Sequence, residues 1–81
     1  MSNSGGMERD DDLVSETRHR LRDLRLAAGL SLDELSARTG LSPSVISRIE
    51  TGKRALSLEV LVVLADALGV DVRSLLEVRS R

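Results

Sequence analysis

Apolar residues recur along this chain at spacings of three and four, which is the period of an α-helix that buries one face. Five stretches share this period, and their apolar positions are Leu21, Leu24 and Ala28; Leu35; Ile46 and Ile49; Leu58, Leu61, Ala65 and Leu68, with Val62 and Leu64 beside them; and Val72, Leu75 and Leu76. No segment alternates apolar and polar residues as a strand does. The pattern therefore predicts an all-α fold of five short helices, the first over residues 14–28.

Residues with helix-capping chemistry stand between these stretches. Ser31 and Glu34 have the S-x-x-E spacing of a capping box, and Ser42 followed by Pro43 is typical of an N-cap and a first helical residue. The remaining end signals are Gly29, Gly40, Gly52 and Gly69 at C-termini, and Ser57 and Asp71 at N-termini. These signals place the second helix up to about residue 39, the third from residue 43 to Gly52, and the fourth between Ser57 and Gly69.

The segment LDELSARTGLSPSVISRIET, residues 32–51, satisfies the requirements of two helices that cross at a tight turn. Leu35 anchors the first of these helices in the core, and Ser36 is small enough to let the second approach. Gly40 supplies the positive φ that a short turn needs, and Leu41 fills the turn. We interpret the segment as a DNA-binding helix-turn-helix.

The second helix of this motif has two different faces. Ile46 and Ile49 lie three residues apart and point inward, which leaves Ser44, Ser47 and Arg48 outward. An outward face of small polar residues with one arginine suits a major groove, where arginine reads guanine with two hydrogen bonds. We expect Ser44, Ser47 and Arg48 to contact bases.

The composition narrows the class of protein. Eighty-one residues form one domain at most, and a core of this size is marginal without a partner subunit. The chain has no cysteine and no apolar stretch long enough to cross a membrane, so we expect a cytoplasmic protein associated with the nucleoid. The absence of aromatic residues argues against readers of single-stranded nucleic acid, which stack bases on aromatic rings.

Charge is distributed unevenly along the chain. Residues 1–16 carry one basic and five acidic side chains, whereas residues 17–81 carry eleven basic and eight acidic ones. We therefore divide the chain into a disordered acidic arm (residues 1–13), a DNA-binding domain (14–78) and a tail (79–81). The positive balance of the domain permits contact with phosphate.

Catalytic and metal-binding patterns are missing from the sequence. His19 is the single histidine and has no companion at a catalytic or metal-ligand spacing. We expect no enzyme activity, no cofactor and no metal.

The pattern resembles the phage repressor and Cro-like helix-turn-helix family, also called the XRE family, over residues 17–76. The resemblance includes the segments SRIETGK and ALGV. It implies a five-helix lambda-repressor-like DNA-binding domain in which Ser42, Ser44, Ser47 and Arg48 meet base edges or phosphates. Two residues depart from the family pattern, because Pro43 replaces a polar residue and Leu32 replaces a glutamine that contacts the DNA backbone.

Several cations are assigned by the resemblance and by their position. Arg25 and Glu50 match a pair that forms an internal salt bridge in some relatives. Lys53 and Arg54 match the loop that lies along the phosphates, where they would add affinity without sequence choice. The first helix carries a basic run of Arg18, Arg20, Arg22 and Arg25. We expect Arg22 and Ser42 to contact the DNA backbone.

The C-terminal part of the domain is rich in apolar residues. The five positions are Val70, Val72, Leu75, Leu76 and Val78. One short helix does not easily bury five such residues, and relatives dimerise through this end. We expect a homodimer whose interface contains Val72, Leu75, Leu76 and Val78.

These features predict a transcriptional regulator, of repressor type, that binds a two-fold operator in double-stranded DNA as a homodimer through a recognition helix at residues 43–50. The alternative is a protein-interaction module, such as an antitoxin subunit, that keeps the fold and holds a protein partner with its apolar C-terminal end. The near-neutral net charge, Pro43 and Leu32 keep this alternative open.

Overall fold

The computed structural model describes residues 4–76, with side chains from residue 13 onward. Five helices follow one another in this part of the chain: α1 Ser4–Ala27, α2 Leu32–Thr39, α3 Pro43–Thr51, α4 Leu58–Leu68 and α5 Val72–Leu75. No strand occurs within the described residues. The predicted all-α, five-helix fold is confirmed.

Helix α1 differs from the prediction at its N-terminus. It begins at Ser4, whereas the apolar pattern placed its start near Val14. The structure thus places residues 4–13 of the predicted acidic arm in α1. Once a helix has been nucleated, each further residue adds a backbone hydrogen bond at little net cost, and no proline interrupts this stretch. A pattern of burial does not detect a helix extension of this kind.

The other helix ends follow the predicted capping residues. The Ser31 hydroxyl accepts from the Glu34 N–H at 3.0 Å, and the Glu34 carboxylate accepts from the Ser31 N–H at 2.8 Å, which completes the capping box. The N-caps of α3, α4 and α5 are Ser42, Ser57 and Asp71. Each accepts a hydrogen bond from a backbone N–H of its helix through its side-chain oxygen. Short polar side chains thus fix where each of these helices begins.

The core lies where α1 packs on α3, α4 and α5, and where α2 packs on α3 and α4. Its buried apolar residues are Leu21, Leu30, Leu35, Ile46, Ile49, Leu61, Leu64, Ala65 and Leu75. Two residues of the predicted α4 stripe are outside it, because Leu58 is 66% exposed and Val62 is 49% exposed. Successive helix residues turn by about 100°. A core face centred on Leu61, Leu64 and Ala65 consequently leaves Val62 on the flank.

Helix α5 is held against α1 by buried and half-buried polar contacts. The Thr17 hydroxyl, which is buried, donates to the Leu13 carbonyl at 2.9 Å and lies 3.5 Å from the Leu75 carbonyl. Arg20 Nη1 donates to the carbonyls of Leu75 at 3.0 Å and Ser74 at 3.3 Å. A helix of four residues is not stable alone. Tertiary contacts with α1 therefore support it.

The position of α5 corrects one predicted interface residue. Leu75 is 1% exposed and belongs to the core of its own chain, so its side chain is not available to a second copy. Val72 is half-buried and Leu76 is 37% exposed. Val78, the fourth predicted interface residue, lies outside the described residues.

Candidate nucleic-acid interface

Helices α2 and α3 meet at a turn built from three residues. Gly40 has φ 83°, and its N–H donates to the Ser36 carbonyl at 2.8 Å. The Thr39 hydroxyl accepts from the Leu41 N–H at 3.1 Å, while the Leu41 side chain packs against the core. This geometry is the predicted helix-turn-helix, in which glycine is needed because the turn uses a positive φ.

Helix α3 presents the predicted polar face. Ile46 and Ile49 are 1% and 0% exposed and lie beneath the helix. On the opposite side, Ser44 and Arg48 are exposed and Ser47 is half-buried. The structure thus brings the three predicted base-contacting residues together on one side of α3, within little more than one turn.

The start of α3 carries one further predicted contact. The Ser42 hydroxyl oxygen accepts from the Val45 N–H at 3.1 Å, and Ser42 is exposed. A hydroxyl accepts and donates at once, so this capping bond leaves Ser42 able to donate to a phosphate. Leu32 packs against the core and has no polar group to offer.

The chain leaves α3 through a tightly bonded loop. Gly52 has φ 85° and its N–H donates to the Ile49 carbonyl at 3.3 Å. The N–H groups of Lys53 and Arg54 both donate to the Arg48 carbonyl, at 2.8 and 3.2 Å. This Schellman-type arrangement fixes the loop backbone relative to α3. The side chains of Lys53 and Arg54 are exposed.

The predicted Arg25–Glu50 pair is present and buried. Arg25 Nε lies 2.8 Å from Glu50 Oε2, Arg25 Nη2 lies 3.0 Å from Glu50 Oε1, and Arg25 Nη1 donates to the Leu30 carbonyl at 2.9 Å. The hydrogen bonds and charge of Glu50 raise the pKa of Arg25 above its ordinary value, against the opposing effect of burial. Because Glu50 is the one acidic residue of α3, this pair also removes a negative charge from the helix that would face DNA.

Two further arginines of α1 lie on the same side as Arg25. Arg18 Nη1 donates to the Ile49 carbonyl at the end of α3 and to the Arg54 carbonyl in the following loop, at 3.0 Å for the second bond. Arg22 lies between Arg18 and Arg25 on this helix face and is exposed, as its predicted role requires. The role of Arg18 was not predicted, although its spacing of seven from Arg25 places it on the side that meets α3.

Sites of other kinds are not seen among the described residues. In that part of the chain, no group of three or more histidine or acidic side chains is arranged to hold a metal ion. None of the helices that the structure describes is long and apolar enough to cross a membrane.

The fold and this surface define a helix-turn-helix protein of the DNA-binding type. Residues 21–75 match the helix-turn-helix family, and the chain belongs to this family, in its XRE-type branch of DNA-binding transcriptional regulators. The structure is similar to the crystal structure of the restriction-modification controller protein C.AhdI from Aeromonas hydrophila, with a TM-score of 0.72 and 42% sequence identity. The similarity covers 80% of this chain and 97% of C.AhdI. No curated protein sequence matches this chain significantly.

Proposed function

We propose that this regulator binds a two-fold operator as a homodimer, with α3 of each protomer in a major groove, and that it represses the genes beside the operator. The outward face of α3 carries the proposal. It places Ser44, Ser47 and Arg48 on one side of a helix whose opposite side is fixed in the core. A rigid helix with a short polar face is the geometry that direct reading of base edges requires.

The proposed contacts divide into two kinds. Arg48 reads guanine, a contact worth about 1–3 kcal/mol of discrimination when it is bidentate, and the two serines read neighbouring bases more permissively. The backbone contacts come from both sides of α3: Ser42 at its start, Lys53 and Arg54 after its end, and Arg22 from α1. They add affinity and register rather than sequence choice.

An apolar groove supports the homodimer. It lies between the middle of α1, the first turn of α4 and the end of α5, and its exposed members are Leu13, Val14, Leu58 and Leu76. Their exposed fractions range from 37 to 66%. Neighbouring apolar residues at this level of exposure are typical of an interaction surface. Since a two-fold operator needs two recognition helices, a second copy is the occupant we propose.

The likeness to C.AhdI supports a narrower role. An identity of 42% that extends over 97% of that controller protein favours the control of a restriction-modification system as the role of this chain as well. The operator would then lie beside the restriction and modification genes. A reporter placed under that operator would show lower expression when the protein is present.

The decisive experiment is the selection of bound duplexes from a random-sequence DNA pool at physiological salt. We expect an enriched two-fold motif with half-sites about 10–10.5 base pairs apart, one turn of the double helix. Arg48→Ala should blur the motif at one position in each half-site, whereas Lys53→Ala combined with Arg54→Ala should weaken all sequences alike. If the intact protein enriches no sequence, the proposal fails and the protein-interaction module becomes the better interpretation.

A further inference from the structure

Arg18 joins three parts of the candidate interface. It projects from α1, and one of its terminal nitrogens donates to the Ile49 carbonyl in the last turn of α3 and to the Arg54 carbonyl in the following loop. The arginine is half-buried, and its helix is anchored in the core by Leu21 and by the Arg25 ion pair. A rigid helix therefore holds both the end of α3 and the loop that carries Lys53 and Arg54.

We propose that Arg18 is a positioning residue for DNA binding: it fixes the 53–54 loop against the end of α3, so that Lys53 and Arg54 meet phosphates when α3 lies in the groove. The inference rests on the proposed function, because it assumes that these two residues contact the backbone. Arg18 itself would not need to touch DNA.

The chemistry of the contact suits this role. One Nη carries two hydrogens, so a single nitrogen can serve two carbonyls at once. The carbonyl of Ile49 belongs to the last turn of α3, where a cation is stabilised by the helix dipole. It accepts a bond of 3.3 Å from the Gly52 N–H, and a carbonyl oxygen has a second lone pair for the Arg18 donor. The N–H groups of Lys53 and Arg54 fix where the loop begins, whereas the bond to the Arg54 carbonyl fixes the direction in which the chain leaves it.

The first test measures the loop without DNA. Arg18→Ala should speed hydrogen exchange at the amides of Lys53 and Arg54, because their bonds to the Arg48 carbonyl open more often when the loop is released. Arg38→Ala is the matched control: Arg38 also donates to a carbonyl at a helix end, that of Ala67 at 3.4 Å, and its loss changes the charge equally. Equal exchange at residues 53–54 in Arg18→Ala and the intact protein would overturn the proposal.

The second test is a double-mutant cycle on DNA affinity, made with Arg18→Ala, the Lys53→Ala/Arg54→Ala pair and all three substitutions together. The pair should weaken binding and lower the slope of log affinity against log salt by about two, since about one counterion is released per phosphate contact. Arg18→Ala should weaken binding roughly three- to tenfold and lower the same slope, but it should add almost nothing once the pair is already substituted. Arg38→Ala should retain both affinity and slope.

The outcomes of the cycle distinguish the role of Arg18 from the role of the 53–54 loop. If the Lys53→Ala/Arg54→Ala pair leaves affinity unchanged, the 53–54 loop does not contact phosphates. That part of the proposed function is then wrong, and so is the proposed role of Arg18. If the pair weakens binding but Arg18→Ala causes the same loss in both backgrounds, Arg18 acts independently of the loop and only this inference is overturned. If Arg18→Ala unfolds, Arg18→Lys serves in its place. Lysine keeps the charge beside the end of α3 but is shorter and lacks the planar fork of arginine. We therefore expect an intermediate loss of DNA affinity, and this loss should again vanish in the Lys53→Ala/Arg54→Ala background.

Discussion

The Arg25–Glu50 ion pair makes Glu50→Ala the substitution from which we expect the largest loss of stability. Arg25 on α1 and Glu50 on α3 are 8% and 9% exposed, and two hydrogen bonds of 2.8 and 3.0 Å join the guanidinium to the carboxylate. Removing the carboxylate leaves a buried cation without a counter-charge. The desolvation of that cation then destabilises the folded state, because no opposite charge offsets it.

The expected magnitude follows from the remaining contacts of Arg25. Breaking a buried pair from one side costs about 3–5 kcal/mol, and the surviving bond from Arg25 Nη1 to the Leu30 carbonyl places Glu50→Ala in the lower half of that range. A domain of this size is stable by roughly 5–10 kcal/mol. The melting temperature should therefore fall by roughly 15–25 °C.

Urea unfolding followed by circular dichroism at pH 7 measures this loss, at one protein concentration because dimerisation would also stabilise the fold. Glu50→Gln, which keeps an acceptor of the same size, should lose less than Glu50→Ala, and replacing both partners with apolar residues (Arg25→Met with Glu50→Leu) should restore most of the stability. A loss below about 1 kcal/mol for Glu50→Ala would contradict the expected penalty for a buried, unpaired cation, since a solvent-exposed ion pair contributes that much to stability. The raised pKa of Arg25 means that its contribution is complete at neutral pH and is lost only as the pH rises through that strongly alkaline value.

Three further predictions concern single substitutions. Gly40→Ala should lower the free energy of unfolding, measured by urea denaturation, by about 1–2 kcal/mol. The loss comes from the positive φ alone, because a Cβ there meets no atom within 4 Å. An unchanged stability would contradict the turn geometry. The backbone and hydroxyl hydrogen bonds from Ser31 lower the pKa of Glu34 from its ordinary value of 4.5, so its contribution to stability is present above that value and is lost as the pH falls through the lowered pKa. Glu34→Gln should remove that part of the acid sensitivity seen in melts from pH 7 to pH 2, and identical pH profiles would count against it. Leu58→Asp should turn the proposed dimer into a folded monomer in sedimentation, whereas Leu26→Asp, at another exposed leucine outside the groove, should leave that dimer intact. A dimer that survives Leu58→Asp would exclude the groove as its interface.

The outward face of α3 was predictable from the sequence because it depends on local chemistry. The spacing of Ile46 and Ile49 sets which side of α3 faces the core, and the side of Arg48 follows from helix geometry. Arg18 was not predictable in the same way. Its spacing assigned it a helix face, but its partners are carbonyls 31 and 36 residues further along the chain, which side-chain patterns do not report.

The burial of individual apolar residues also depended on distant parts of the chain. The sequence identified Leu75 as apolar and helical, but the same residue suits a dimer interface and a core. The packing of α5 on α1, through Thr17 and Arg20, turned it inward. Leu58 shows the opposite difference: it was predicted to be buried, but it is exposed because the first turn of α4 lies at an open groove.

The pattern of residues was enough to predict five helices, four of their N-terminal caps, the turn at Gly40 and the outward face of α3, since each depends on residues within about one helical turn of one another. Helix packing set which apolar residues are buried and which stay exposed. It also decided which arginines hold the fold and which stay available to phosphate: Arg18, Arg20 and Arg25 bond to distant parts of the chain, and Arg22 remains exposed. Burial and ion pairing depend on what lies opposite a side chain in space, and only the packing of the helices brings those partners together.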